Sequence, residues 1–223
     1  MLLLILLTIP LIASLASLAV RGSIKVLNFL AIAGSLSEGL AIFGIAREVV
    51  LRGPYAFSVY FSVDQLGSIL LLVVGCVGLA ASWYSTGYLK VEVQKGIIGF
   101  RRVRQYFALL HLFFLAMFFA TATANPILMW IAIEATTLST AFLISFYNKP
   151  SALEAAWKYL VINSVGLLLG FFGTLLFLNV DLGGGLVDWR ALSIASAGFD
   201  PLVAKIAFIF VLIGYGTKVG LVP

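Results

Sequence analysis

Charge is what this sequence has least of. Asp, Glu, Lys and Arg make up 10% of its 223 residues, while 62% are hydrophobic, and the mean hydropathy is +1.14. Soluble domains carry about 25% charged residues, so an ordinary wetted globular surface is excluded. The sequence holds one cysteine, Cys76, and one histidine, His111. A lone cysteine excludes an intramolecular disulfide, and the two residues together cannot supply the ligands of an iron–sulfur cluster or a zinc site. No metal, flavin or nucleotide site is expected, so any redox centre of a machine containing this chain would lie on other subunits. The short alternating segments of an outer-membrane barrel are missing as well. The net charge of +5 does not point to nucleic acid, because the basic residues gather between apolar runs.

What is present is a series of apolar runs of about twenty residues, long enough to cross a hydrocarbon core of roughly 30 Å as helices. Seven can be drawn: Leu2–Val20, Val26–Ala46, Leu66–Leu89, Tyr106–Ala124, Ile127–Tyr147, Ala155–Leu178 and Leu202–Pro223. Turn signals separate them: Arg21-Gly22, Gly53-Pro54, Asn125-Pro126, Asn148-Lys149-Pro150, Gly183-Gly184-Gly185 and Asp200-Pro201. The fold class expected is an all-α polytopic membrane protein. So little chain joins the fourth and fifth spans that they must form a tight antiparallel pair. Between the second and third spans, Pro54–Val63 alternates aromatic and small residues, which suits a β-hairpin or extended loop. The N-terminus has no basic region before its apolar run, so Leu2–Val20 is taken as a retained span and not a cleaved signal. Residues 1–60 form a two-helix region with an extracytoplasmic loop, and 61–223 the main transmembrane domain.

Lys and Arg concentrate on one side of this arrangement, with Lys90, Lys95, Arg101, Arg102 and Arg104 supplying most of the bias. The positive-inside tendency then places the N-terminus outside a cytoplasmic (inner) cell membrane. Asp64 is expected to cap the third span, and Lys205 to sit at an interface. The sequence stops at Pro223 inside or just after an apolar run, as expected of a split gene or a fragment of a longer protein.

Against this background the few ionisable residues stand out. Between Gln105 and Asn148 the only Asp, Glu, Lys or Arg is Glu134. A charge near a bilayer centre costs roughly 2.5–3.5 kcal/mol on insertion scales, and is retained where it faces a cavity or a bundle interior and has a task. Thr136, Thr137, Ser139 and Thr140 surround Glu134 in sequence, and hydroxyls beside a carboxyl allow hydration and proton exchange. Lys218 lies among Gly214, Gly216 and Gly220 with Pro223 beyond, a pattern that loosens or breaks a helix where transporters place ion sites. Lys158 makes an i,i+4 pair with Glu154, and Ser151…Glu154 after Pro150 reads as a capping box. His111 is either a proton relay or a packed donor to a backbone carbonyl. Glu38, flanked by small residues, is a second relay, a subunit contact or a lipid contact. Glu134, Lys218, Lys158 and His111 are the candidates for proton or ion transfer.

The strings YFALLHLFFLAMFF, IEATTL, SALEAAWKYL and GYGTKVGL closely resemble the antiporter-like membrane subunits of complex I, membrane-bound hydrogenases and Mrp antiporters, with the strongest look to the F component of hydrogenase-4. FSVDQLGSILLLVVG resembles the family's entry to the third span. The likeness runs from about Phe61 onward, and the first two spans are generic. It implies two inverted repeats, each with a half-channel and a broken helix, of which this chain would hold the N-terminal part. It implies that Glu134 matches the family's fifth-helix glutamate, Lys218 its seventh-helix lysine and Lys158 the lysine opening the sixth. His111 falls where hydrogenase-type members often have histidine. The implied function is proton or sodium translocation in a redox-driven complex, with other membrane subunits as partners. A Mrp-type cation/proton antiporter, or a truncated half acting as scaffold, is the alternative.

Overall fold

In the computed structural model, which describes residues 1–178 and 188–221, seven helices are long and apolar enough to cross a membrane. They are α1 (Leu2–Ala19), α2 (Ile24–Arg52), α3 (Gln65–Gln94), α4 (Phe100–Ala122), α5 (Pro126–Ile144), α6 (Pro150–Phe177) and α8 (Pro201–Val219), with a short α7 (Trp189–Ala195) before the last. Several run a turn or more past the apolar segments, because their polar ends remain helical outside the hydrocarbon. The expected turn at Gly183-Gly184-Gly185 lies outside the described residues.

The Pro54–Val63 segment is a hairpin of β1 (Tyr55–Ser58) and β2 (Phe61–Val63), antiparallel with an irregularity between Ala56 and Ser58. It packs on the α4–α5 junction: the Tyr60 carbonyl accepts the Ala124 N–H at 2.8 Å and the Thr123 hydroxyl at 3.1 Å. Phe61 meets Phe119 edge-to-face at 5.0 Å. Three residues separate α4 from α5, which is the tight pair expected. Asp64 caps α3 by accepting the Gly67 N–H at 2.7 Å. The capping box at Ser151 is not formed. Pro150 opens α6, Lys149 takes the cap position without a side-chain bond, and Glu154 is engaged by Lys158 instead. Proline's fixed φ suits the first helical position and needs no capped N–H.

Two packing regions result. Helices α1 to α4 share a buried apolar core that includes Leu3, Leu27, Ile45, Leu71, Phe107 and Phe118. Helices α6 and α8 instead meet through glycines. A Cβ at Gly214 would lie 2.1 Å from the Gly170 nitrogen, and one at Gly173 would lie 2.7 Å from the Ala207 carbonyl oxygen. Lipid tails are as apolar as leucine, so helices in a membrane gain by close backbone approach, which small residues permit. Gly214 therefore packs α8 against α6, Gly216 lies against Leu221, and neither interrupts the helix. The helix stops at left-handed Gly220, where the Leu221 N–H returns to the Gly216 carbonyl, a Schellman ending. Pro223 lies outside the described residues. Many large apolar side chains, among them Phe29, Phe43, Trp83, Trp157 and Leu202, face outward, as a lipid-facing surface requires.

Candidate functional site

Three helices bring Glu134 and Lys218 into one region. Asn125 starts α5 by accepting the Ile127 and Leu128 N–H groups at 2.9 and 3.0 Å, which sets Glu134 two turns into the helix. Trp130, four residues earlier, donates its indole N–H to the Leu167 carbonyl of α6 at 2.7 Å and lies tilted against Phe171 with ring centres 4.3 Å apart. That clip holds Glu134's side of α5 against α6. There the Ser164 hydroxyl donates to Glu134 Oε1 at 2.6 Å. Glu134 Oε2 is buried and has no protein partner.

Lys218 comes from the last turn of α8, on the helix that the glycines hold against α6. Its ammonium donates to the Thr137 hydroxyl at 2.9 Å and to the Tyr159 hydroxyl at 3.4 Å, and stands 5.8 Å from the centre of the Tyr159 ring. Thr137 is three residues along α5 from Glu134, so acid and amine lie along one side of the same helix. Among the described residues no ion pair joins them. Each is held by hydroxyls. A hydroxyl both donates and accepts, so it can accompany a charged or a neutral partner, whereas a direct ion pair fixes both charges.

The other two candidates are placed elsewhere. Lys158 pairs with Glu154 at 2.5 Å on the exposed side of α6. His111 is fully buried in the α1–α4 bundle, with Nδ1 at 3.1 Å from Glu38 Oε1. The hydroxyls flanking Glu134 in sequence also do not serve it: Thr136, Thr137, Ser139 and Thr140 each donate to a backbone carbonyl of their own helix. Ser164 on Glu134 and Tyr159 on Lys218 are partners that the sequence does not single out. A signal for them existed, since Tyr159, Asn163 and Ser164 put polar groups on an otherwise apolar run. Among the described residues no three His, Cys, Asp or Glu side chains gather as a metal set.

Comparison with known proteins places the chain in a family. The family model described as "NADH:quinone oxidoreductase/Mrp antiporter, TM" matches residues 123–223, which include Glu134 and Lys218. That described as "NADH-Ubiquinone oxidoreductase (complex I), chain 5 N-terminus" matches residues 51–96. A hydrogenase-4 component F homolog of Methylacidiphilum infernorum is 36% identical over 169 residues, covering 74% of this chain and 36% of that protein. The chain belongs to the family of antiporter-like membrane proteins of complex I, membrane-bound hydrogenases and Mrp antiporters. Another relative of this antiporter-like protein, NADH-quinone oxidoreductase subunit N 2 of Acidobacterium capsulatum, is 30% identical over 92% of the chain and 40% of its own length. The fold matches a chain of the membrane-bound sulfane sulfur reductase, an archaeal respiratory membrane complex, with a TM-score of 0.74 at 18% identity over 95% of this chain and 43% of that one. It matches a chain of Thermus thermophilus respiratory complex I at 0.70 and 21%, over 97% and 43%. The antiporter-like protein thus spans about two fifths of the length of these relatives.

Proposed function

We propose that this chain moves protons, or sodium ions, across an inner cell membrane as one membrane subunit of a redox-driven complex of the hydrogenase-4 or NADH:quinone oxidoreductase kind. The observation that carries this reading is the Glu134–Lys218 site. A carboxylate with one unpartnered buried oxygen lies one turn along α5 from Thr137, whose hydroxyl holds the ammonium of Lys218. Glu134 is the exchangeable acid. A proton arriving at Oε2 neutralises it while Ser164 keeps its hold on Oε1. Lys218, held by Thr137 and Tyr159, is the amine that passes a proton onward through Tyr159 or water. The exposed Glu154–Lys158 pair stands at the polar end of α6 as a mouth group. Electron transfer belongs to partner subunits, and the N-terminus lies outside, with the Lys90–Arg104 cluster in the cytoplasm.

A second reading, a gradient-driven Mrp-type cation/proton antiporter, draws support from the matching model, whose description joins both kinds. The test is Glu134→Gln in the intact complex reconstituted in vesicles, with proton uptake followed by a pH-sensitive dye. Positioned acid–base groups contribute about 10²-fold or more to proton transfer, and a loss of that order is expected. Undiminished uptake rejects the assignment. Uptake driven by an imposed sodium gradient without any electron donor would favour the Mrp reading.

A further inference from the structure

The Glu38–His111 pair is left unused by the site just described. Glu38 on α2 and His111 on α4 are 2% and 0% exposed, and among the described residues neither is bonded to another ionisable group. Gly34 and Phe114 lie against the imidazole, and apart from Glu38 none of the residues recorded against it titrates. His111 Nε2 is buried without a protein partner. The glycine beside it matters, because a Cβ at position 34 would lie 2.9 Å from Cε1 and 3.4 Å from Nε2. Gly34 thus lets α2 approach the ring without collision, and the unsatisfied ring nitrogen is the kind of buried group that an ordered water serves.

A ladder of paired hydroxyls begins one turn from Glu38. Ser35 and Ser82 oxygens are 2.6 Å apart, Ser85 and Tyr106 oxygens 2.8 Å apart, and Tyr88 and Tyr147 hydroxyls touch. Ser82, Ser85 and Tyr88 recur every third residue and so climb one side of α3, over about 9 Å at 1.5 Å per residue. Exposure rises along them from 0% at Ser82 through 3% at Ser85 to 42% at Tyr88. The exposed end at Tyr88 lies two residues before Lys90. Each rung crosses to a different element: α2, then α4, then the turn after α5. Hydroxyls in such a series can pass a proton with intervening water.

We propose that Glu38 and His111 form a second proton-exchange site, reached from the basic face of the protein through the Ser35–Ser82, Ser85–Tyr106 and Tyr88–Tyr147 ladder. The step balances within the pair. A proton delivered by water bonds to Nε2, the Nδ1–H bond breaks, and that proton bonds to Glu38 Oε1. The site passes from imidazole plus carboxylate to the other imidazole tautomer plus carboxylic acid, gaining one proton and no unpaired positive charge. The inference takes the proton-translocating reading as its setting, but its chemistry involves neither Glu134 nor Lys218.

Infrared difference spectra of the intact complex between acid and alkaline buffer test it. A carboxylic C=O band is expected that is lost in Glu38→Gln and kept in Glu134→Gln. Its shift on transfer to D2O is expected to be slower in Tyr106→Phe than in the wild type. A wild-type band pattern in Glu38→Gln, or unchanged exchange in Tyr106→Phe, overturns the proposal. Should Glu38→Gln not assemble, His111→Gln must displace the band, and an unmoved band has the same consequence. Lost uptake in Glu134→Gln with Glu38 spectrally silent overturns this site alone. Full uptake in Glu134→Gln with the Glu38 band present overturns the Glu134 route alone.

Discussion

Each half of this molecule holds a carboxylate and a base, buried in one half and half-buried in the other, and treats them in opposite ways. In α1–α4 the acid and base touch: Glu38 and His111 meet at 3.1 Å inside a close-packed core. In α5, α6 and α8 they are kept apart, with Ser164 on Glu134 and with Thr137 and Tyr159 on Lys218. A direct pair balances its own charge and shares protons internally. A separated pair has to answer to whatever enters between its members. The difference lies in the helix surfaces. Large side chains fill α1–α4, whereas the glycine-lined α6–α8 contact leaves room for polar groups at its edge.

The sharpest way to break this comparison is to truncate the same residue type in both halves. Removing one partner of a buried pair costs about 3–5 kcal/mol, so Glu38→Ala should lower the unfolding free energy in detergent by that amount. Glu134→Ala removes a single hydroxyl bond and should cost only about 1 kcal/mol. Equal losses at both positions would mean that the two sites do not differ in kind. Function should rank the other way: Lys218→Met, which keeps the length but not the charge, is expected to slow redox-driven proton uptake by about 10²-fold, near 2.7 kcal/mol. Next in size is Gly214→Ala, whose Cβ would collide with Gly170. Overpacking of this sort costs about 1–3 kcal/mol, seen as a lower unfolding midpoint and weaker proton uptake together, because the collision pushes Lys218 away from α5. The smallest effect is expected at Asp64→Ala, which removes the cap of α3 for about 1 kcal/mol and should leave uptake rates unchanged.

The seven spans and the hairpin were legible because hydropathy and turn residues act locally. Helix ends were less so: Lys90–Gln94 and Phe100–Gln105 are helical although polar, and hydropathy registers only the hydrocarbon-facing part. Glu134 and Lys218 announced themselves by their scarcity. Their partners did not, since Ser164 and Tyr159 matter only once α6 is laid between α5 and α8. His111 shows the same limit. Its meeting with Glu38 spans 73 positions and depends on how α2 crosses α4, which no local pattern records. At Ser151 the local pattern misled, because the proline before it had already settled how the helix begins.

The backbone contact at Gly170 and Gly214 has a mechanical consequence. With no side chains between them, α6 and α8 cannot slide or roll past each other without collision, so Ser164, Tyr159 and Lys218 ride on a single stiff plate. Opening or closing the gap between acid and amine then falls to α5 shifting against that plate, or to rotation within the lysine's own chain. The Trp130 indole, bonded to the Leu167 carbonyl, is the latch such a shift would have to release.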